Sequence, residues 1–517
     1  MGVPAKLLAH YLDRLNGAPV DAAAAGFYAL MDQIGAASPS VAASIVREFR
    51  DQRSNLKLIA SENFSSLATQ FAHANLLTDK YAEGYPYHRF YAGCDNVDAI
   101  EAEAVRLACE VFGADHAYVQ PHSGSDANLV AYLAILSAQV QAPILDQLGI
   151  KNPTKASRED WAKVRNAIHG QRLLAMDYYS GGHLTHGYRF NYSSQLFDVH
   201  TYTVDPETNR IDLDRLYAQL KEVRPTLLLT GYSAYSRKLN FATMRQMADD
   251  VGAVFMVDMA HFAGLVAGKV FTGDYNPVAH AHVVTSTTHK TLRGPRGGIV
   301  FSTKEYAEWI DKGCPSILGG PLPHAMAAKA VALREAATPD FQRYAHRIVD
   351  NAQAFAKACI DEGMHVLTGG TDNHLFLVNV SEQFGITGRH AESALRECHL
   401  TLNRNALPFD PNGPWYTSGL RIGTPAVTTL GMGTDEMKEI AQVIHLVLSN
   451  VTPRVIEDGP RAGQVSKAKY NLDPAVIETA RQRVQVLLDR YPLYPELDID
   501  LLLSADFMAE SARESVL

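Results

Sequence analysis

Short apolar runs alternate with helical patterns through the middle of this chain, and this alternation is the strongest constraint on its fold. Helical segments such as 243–251 separate several of the runs. Runs that are apolar on both faces and joined by helices predict an α/β fold with a mainly parallel sheet. The runs with the length and composition of buried strands are RLLAMDY at 172–178, TLLLTGY at 226–232, AVFMVD at 253–258, HVVTST at 282–287 and GGIVFS at 297–302.

The pattern changes along the 517-residue chain, which is long enough for more than one structural unit. Residues 1–94 alternate helical stretches with glycine and proline breaks and are predicted to form an N-terminal arm and segment. The strand-rich part, 95–340, is predicted as the large α/β domain, with a polar surface insertion at 138–171. Residues 341–517 are predicted as a smaller C-terminal α+β domain with an extended tail.

Composition narrows the class of protein and its compartment. No apolar run approaches the ~18 residues needed to span a bilayer. The net charge of −9 argues against binding to nucleic acid or to a membrane surface, because both attract a basic excess. The five cysteines are scattered without a CxxC pair, which favours a reducing compartment over a disulfide framework or a zinc site. We therefore expect a soluble cytoplasmic protein.

Two residues at the ends of predicted strands indicate the kind of cofactor that the protein binds. Asp258 closes the run AVFMVD, and Lys290 follows the run HVVTST. Ligands of parallel sheets bind at the carboxyl ends of strands. A lysine and an acid there suit pyridoxal 5'-phosphate (PLP), because the amine bonds the aldehyde and the acid keeps the pyridine nitrogen protonated. A solvated lysine and an acid that only caps the next segment are the alternatives. His261 and His289 are predicted to tune protonation nearby, or to be structural histidines.

The loop QPHSGSDAN at 120–128 is predicted to bind a phosphate. Ser123, Gly124 and Ser125 stand at a strand-to-helix transition, where hydroxyls and exposed backbone N–H groups collect. An ordinary helix N-cap would have a similar sequence.

The segment GGHLTHG at 181–187 carries two histidines, His183 and His186, after paired glycines. Their spacing is compatible with metal binding, but no acid or cysteine stands near them in the sequence, so we expect no metal. A histidine lying flat on the cofactor ring explains the glycines better, because close backbone approach requires them.

Two further charged residues suggest how a substrate is handled. Glu83 lies within the polar-aromatic cluster DKYAEGYPYHRFYAG at 79–93, and partial burial of such an acid suits it to proton transfer. Arg421, in GLRIGTP at 419–425, is predicted to clamp the carboxylate of an amino-acid substrate. A surface ion pair is the alternative for Arg421.

Taken together, these motifs resemble the serine hydroxymethyltransferase family, which is a fold-type I PLP-dependent family. The resemblance implies a large PLP-binding α/β domain like that of aspartate aminotransferase, followed by a smaller domain. It covers roughly 55–450 and is carried by LIASENF at 58–64, YAEGYP at 81–86, HSGSDAN at 122–128, GGHLTHG at 181–187, SAYS at 233–236, VDMAHFAGLVAG at 257–268, THKTLRGPRGG at 288–298, GGPLPH at 319–324, GGTDNHLFLVNV at 369–380 and GLRIGTPAVT at 419–428.

The resemblance implies a reaction and a role for individual residues. The reaction is reversible transfer of the serine hydroxymethyl group to tetrahydrofolate, giving glycine and 5,10-methylenetetrahydrofolate, in a homodimer with active sites at the subunit interface. The catalytic residues would be Lys290, Glu83, His289, His261 and Tyr91. The cofactor would contact Lys290, Asp258, His183, Ser123, Gly124, Ser125, Ser233 and His261, with Gly320 and Tyr81 reaching across the dimer. The substrates would contact Ser61, Arg421, Tyr91 and Glu83, with Asn405 at the pterin.

Some positions depart from the family's pattern: Phe90, Tyr178 and Ser180, which are expected near the folate pocket, and the triplet at 316–318. A folate-independent PLP enzyme, such as an aldolase or racemase of 3-hydroxy amino acids, would keep Lys290 and Asp258 without needing that pocket. A binding protein derived from this fold would need no Lys290.

Overall fold

A computed structural model describes residues 6–460 and 462–514, and its largest element is a seven-stranded sheet. One strand, Gly298–Ser302, runs antiparallel to both of its neighbours. The predicted α/β architecture is confirmed, and every apolar run named above forms a strand within two residues of its predicted bounds. In spatial order the strands are His116–Tyr118, Gly298–Ser302, Val283–Thr287, Val254–Asp258, Leu227–Gly231, Arg172–Met176 and Asp198–Tyr202.

Both faces of this sheet are covered by helices, which explains why its strands are continuously apolar. Alternate residues of a strand point to opposite faces. In the strand Val254–Asp258, Phe255 and Val257 pack into one apolar cluster, while Val254 and Met256 pack into another on the opposite face. At the ends of these strands, charged groups such as the Asp258 carboxylate can contribute to a site.

Helices occupy most of the remaining chain before residue 340. The helix Asp95–Phe112 ends at Gly113, which adopts φ 72°. The α-helices of this part are Lys6–Arg14, Ala22–Ala37, Pro39–Arg53, Leu67–Phe71, Asp95–Phe112, Gly124–Leu136, Ala142–Gln147, Arg158–His169, Ser193–Leu196, Leu213–Val223, Phe241–Val251, Ala263–Ala267, Pro277–His280, Lys304–Asp311, Gly313–Ser316 and Pro323–Ala336. Short strands lie at Leu56–Lys57, Gly84–Tyr85 and His88–Arg89.

A three-stranded antiparallel sheet forms the centre of the C-terminal part, in the order Leu375–Asn379, Gly419–Gly423, Asn403–Asn405. A helix at Pro474–Arg490 follows, and the side chain of Asp473 accepts a hydrogen bond of 2.8 Å from the Ala475 N–H. The other helices are Pro339–Asp361, Val380–Phe384, Gly388–Glu397, Gly413–Tyr416, Pro425–Thr429, Thr434–Ser449, Ile499–Leu503 and Asp506–Glu514, and the other strands are Leu400–Thr401, Thr452–Val455 and Val465–Asn471.

The N-terminal helices differ from the expectation of an arm. They pack with residues from 493–508 around an apolar cluster of their own, in which Tyr28, Met31 and Ala42 are fully buried. The two ends of the chain therefore share one core. The sequence did not show this because, besides packing on one another, these helices contact residues more than four hundred positions away.

The segment at 138–171, predicted as a surface insertion, is mostly exposed or half-buried, but it also contributes a few side chains to the core. A π turn at Ser137–Gln141 continues the helix Gly124–Leu136 into Ala142–Gln147, and the side chains of Val140, Leu145 and Val164 are buried. The combined helical stretch Gly124–Gln147 has the length, and a mean hydropathy of 1.4, that would allow it to cross a membrane, contrary to the sequence-based expectation. Half of that stretch is buried against the protein, as in the core helix of a globular domain.

Candidate active site

A cavity of about 740 Å³ lies where the strands Val254–Asp258 and Val283–Thr287 end. Its walls come from the large sheet, from the loop after Leu58 and from the C-terminal sheet. Chain segments that are far apart in sequence therefore meet at one place. The predicted site residues that line it are Ser61, Ser123, Gly124, Ser125, His183, Ser233, Asp258, His261, His289, Lys290, Asn405 and Arg421.

Asp258 is the last residue of its strand and is 8% exposed. Its Oδ2 accepts hydrogen bonds from Asn128 Nδ2 at 2.9 Å and from His186 Nε2 at 3.1 Å, and its Oδ1 accepts from the Ala260 N–H at 3.0 Å. Burial opposes ionisation, but the hydrogen bond and charge of His186 outweigh it and hold the pKa of Asp258 well below its ordinary value. The carboxylate therefore remains negatively charged in the cavity wall.

Lys290 follows the neighbouring strand and also lines the cavity. Burial lowers the pKa of its amine to about 8, and Arg421 and Arg296 act in the same direction, while Asp258 opposes them. A larger share of the amine is then neutral near pH 7, which is the form that attacks an aldehyde. The backbone is held in place because the Lys290 carbonyl accepts a hydrogen bond of 2.9 Å from Asn63 Nδ2.

Three histidines of the cavity, His183, His261 and His289, are poised to stay neutral. Burial lowers the pKa of His183 to about 4 and that of His289 to about 3, and it also lowers the pKa of His261 well below its ordinary value. His261 Nδ1 lies 3.2 Å from Nε2 of the buried His374, so the ring is held by a second histidine. Within the described residues, His289 Nδ1 is buried without a hydrogen-bond partner.

The predicted phosphate loop leads into the helix Gly124–Leu136. Ser123 is the N-cap, and its Oγ accepts a hydrogen bond of 3.1 Å from the Asp126 N–H. The loop therefore forms an ordinary helix N-cap, which was the alternative to a phosphate site, and it also lines the cavity. A Cβ on Gly124 would lie 2.6 Å from Thr287 Cγ2, so glycine is required for this helix end to approach the strand that leads to Lys290.

The paired glycines before His183 allow a close approach of the backbone. Gly181 has φ 116°, and a Cβ on Gly182 would lie 2.2 Å from the Met176 carbonyl oxygen. Glycine is therefore required where this loop meets the end of the strand Arg172–Met176. The close approach turns the chain so that His183 reaches the cavity, where its Nδ1 lies 2.8 Å from Thr185 Oγ1.

The sequence predicts no metal at His183 and His186 because no acid or cysteine stands near them along the chain. Folding brings Asp258 to them, and one ligand atom from each of the three residues lies within 4.8 Å of the others. The acid closest to them in space, Asp258, could therefore not be identified from the neighbouring sequence. His186 and Asp258 already satisfy each other through their hydrogen bond.

Arg421 lies in the central strand of the C-terminal sheet and points into the cavity. Its Nε donates to Asn403 Oδ1 at 3.1 Å, and its Nη1 donates to the Ser233 carbonyl at 2.7 Å. Burial lowers its pKa to about 10, so the guanidinium remains charged at neutral pH. Within the described residues Arg421 forms no ion pair, so its charged guanidinium at the cavity wall is available to a carboxylate.

Four predicted residues do not line this cavity: Glu83, Tyr81, Tyr91 and Gly320. Three of them, Tyr81, Tyr91 and Gly320, lie close together outside the cavity wall. The rings of Tyr81 and Tyr91 lie 5.0 Å apart, and a Cβ on Gly320 would lie 2.9 Å from Tyr81 Cζ. Tyr81 is 55% and Tyr91 is 49% exposed.

The positions that depart from the family's pattern are also dispersed. Tyr178 lines the cavity. Ser180 does not; it is buried, and its Oγ accepts a hydrogen bond of 3.3 Å from the Val204 N–H. Phe90 is 68% exposed, outside the cavity wall. Of the three positions, only Tyr178 therefore belongs to the wall of this cavity, and their place near a folate pocket stays a prediction.

Sequence reasoning missed several residues of the site. Asn128 and His186 hold Asp258, and both belong to motifs already identified, HSGSDAN and GGHLTHG. The sequence therefore contains both residues in recognisable motifs, but it does not show that they contact Asp258. Asn403 and His374 support Arg421 and His261; His374 belongs to the motif GGTDNHLFLVNV, but the motif does not show this contact.

The residues of the cavity fit PLP. The charged Asp258 suits a protonated pyridine nitrogen, the helix end at Ser123–Ser125 suits a phosphate, and Lys290 suits the aldehyde. The buried, unpartnered His289 Nδ1 is a further polar atom that a ligand in this cavity can satisfy. This fold and site define a fold-type I PLP-dependent enzyme.

Comparisons with known proteins agree with this class. A sequence profile of the serine hydroxymethyltransferase family matches residues 34–147 and 156–444. The chain is 55% identical over 505 residues to the serine hydroxymethyltransferase of Treponema pallidum, covering 98% of this chain and 87% of the relative. It is 54% identical over 479 residues to that of Salinispora tropica (93% and 99%) and 52% identical over 485 residues to that of Mycolicibacterium smegmatis (94% and 97%). The chain belongs to the serine hydroxymethyltransferase family.

Proposed function

We propose that this chain transfers the hydroxymethyl group of serine to tetrahydrofolate, with PLP as its cofactor. The observation that carries the proposal is the convergence of Lys290, Asp258 and Arg421 on one cavity. An amine, a buried carboxylate and a guanidinium together match the aldehyde, the ring nitrogen and an amino-acid carboxylate. The cavity volume of about 740 Å³ exceeds what serine fills and supports a second, larger substrate.

Each group then has a role that its surroundings support. PLP, when bound, withdraws electrons from the reacting carbon of the substrate into its ring. Asp258 would supply a negative charge to the ring nitrogen, and His183 would contact the ring. Ser123, Gly124 and Ser125 would hold the phosphate, and Ser233 the phenolic oxygen.

The substrates are held by residues at the other wall of the cavity. Arg421 and Ser61 bind the serine carboxylate, and two nitrogens of Arg421 are already fixed by Asn403 and Ser233. His261 and His289, which stay neutral, accept hydrogen bonds or donate them without adding charge near Lys290. Asn405 meets the pterin.

We also propose that the active enzyme is a homodimer in which Glu83, Tyr81, Tyr91 and Gly320 complete the partner's cavity. These residues lie outside the cavity of their own chain, on a segment whose aromatic side chains are exposed in the single chain, including Tyr87 at 73% and Phe90 at 68%. Exposed aromatic groups in one place favour a protein interface. Glu83 would then move a proton to or from the substrate.

The domain division, with a large unit at 95–340 between the segment 1–94 and the C-terminal part 341–517, is part of the same proposal. So is a cytoplasmic location, which is supported by five cysteines that are all free.

The proposed reaction predicts that serine cleavage depends on tetrahydrofolate. Adding tetrahydrofolate should raise the rate of glycine formation from serine by at least about 100-fold, because the acceptor is held beside the reacting carbon. Glycine and 5,10-methylenetetrahydrofolate should appear in equal amounts. Cleavage of a 3-hydroxy amino acid with a bulkier side chain, measured without folate, is the control. Equal rates of serine cleavage with and without folate would identify a folate-independent aldolase instead.

The shared site predicts complementation between two inactive variants. A Lys290→Ala subunit supplies an intact Glu83, and a Glu83→Gln subunit supplies an intact Lys290. Refolding the two together should restore about a quarter of wild-type activity, because half of the dimers are mixed and each mixed dimer has one intact site. Each variant refolded alone is the control. Activity that stays at the level of the controls would mean that Glu83 serves its own chain.

A further inference from the structure

A second lysine is buried beneath the candidate active site. Lys329 lies in the helix Pro323–Ala336 and is 1% exposed. Its Nζ donates three hydrogen bonds, all to backbone carbonyl oxygens: Val119 at 2.6 Å, Pro121 at 2.8 Å and Gly298 at 2.8 Å. An ammonium group has three donors, so this group is fully used.

These three oxygens belong to the two segments that frame the cofactor site. Val119 and Pro121 lead directly into the loop Ser123–Ser125, and Gly298 begins the strand that follows the Lys290 loop. The segments also touch each other, because the Gly298 N–H donates to the Pro121 carbonyl at 2.9 Å. One ammonium group therefore ties both segments to the same helix.

The packing around the ammonium is tight on the side of the Lys290 loop. A Cβ on Gly297 would lie 2.5 Å from Lys329 Cε and 3.0 Å from Nζ. Burial lowers the pKa of Lys329 to about 7, and the acids Glu101 and Asp126 oppose this shift. An anion held by the neighbouring loop would favour the charged form, because an opposite charge raises the pKa of a lysine.

We propose that Lys329 is a positioning residue for the cofactor phosphate, which holds the loop Ser123–Ser125 in its binding conformation against the strand after the Lys290 loop. The inference rests on the proposed function, in which that loop binds the phosphate of PLP. It assigns Lys329 no contact with the reacting atoms.

The test compares two ligands of the apoenzyme that differ only in the phosphate, pyridoxal phosphate and pyridoxal. Each is titrated by its absorbance change in the wild type and in Lys329→Met, which keeps the length of the side chain and removes the charge. We expect the affinity for pyridoxal phosphate to fall at least about tenfold, since the loss of one charged hydrogen bond has this size, and the affinity for pyridoxal to change less than about twofold.

Two further variants complete the design. Lys269→Met is the matched control, because Lys269 Nζ also donates to a backbone carbonyl, Val111 at 2.6 Å, at a distant and exposed position; both affinities should be retained. Gly297→Ala displaces the Lys329 ammonium without removing it and should reproduce the selective loss. If thermal unfolding of the apoenzyme shows that Lys329→Met does not fold, Gly297→Ala provides the test in its place.

The outcomes separate the inference from the function on which it rests. A wild-type protein that binds pyridoxal as tightly as pyridoxal phosphate would overturn the assignment of the phosphate loop itself. A wild-type preference that survives in Lys329→Met and Gly297→Ala would overturn the role of Lys329 alone. An equal loss of affinity for both ligands would show a purely structural role and would also overturn it.

Discussion

Replacing Lys290 with alanine should abolish covalent attachment of PLP and lower kcat by at least about 10³-fold, as the loss of a residue that bonds the reacting group does elsewhere. Lys290 is the lysine at the cavity wall whose pKa is lowered to about 8, so it is the amine best prepared to react with an aldehyde. Borohydride reduction of the loaded wild-type protein should add the cofactor mass to the peptide that contains Lys290, and mass spectrometry measures this directly.

The control for this experiment is Lys304→Ala, at an exposed lysine that begins a helix away from the cavity. That variant should retain the cofactor label and the activity. A label that remains in Lys290→Ala, on the same peptide region or another lysine, would contradict the assignment.

Replacing Asp258 with asparagine should lower kcat by about 10²- to 10³-fold, the range found when one preorganised electrostatic group is removed from an active site. The amide keeps the shape of the side chain but not its negative charge, so the ring nitrogen of the cofactor would lose its partner. KM for serine should change little, because the carboxylate clamp of Arg421 is held by other residues. Steady-state kinetics with saturating PLP separates the two parameters.

Asp212→Asn provides the matched control for this substitution. Asp212 caps the helix Leu213–Val223 by accepting from the backbone N–H groups of Asp214 and Arg215, a role that asparagine also fulfils. Its kcat should equal that of the wild type. A kcat of Asp258→Asn within about twofold of the wild type would refute the role of Asp258, since one electrostatic contact is expected to contribute far more.

The strands and several helix ends could be predicted from the sequence because their causes are local. Gly113 ends a helix since its φ of 72° suits glycine, and Asp473 starts another by accepting a backbone N–H. The apolar runs of the large sheet reflect burial on both faces, which needs no knowledge of their partners.

Other parts of the fold depend on contacts that no local pattern shows. The N-terminal helices pack with residues from 493–508, and the segment at 138–171 buries Val140 and Val164. The polar and helix-breaking residues of both segments are visible in the sequence, whereas the apolar surface that covers their few buried side chains is not.

Within the site, the types of functional group and their places at strand ends follow from the local sequence, as for Lys290, Asp258 and the loop at Ser123. Their pKa values and their neighbours depend on the tertiary structure. Asp258 stays charged because His186 and Asn128 reach it from other segments, and Lys290 has a lowered pKa because the fold removes it from water. Desolvation and hydrogen bonding depend on what surrounds a group in space, and only the folded chain specifies those surroundings.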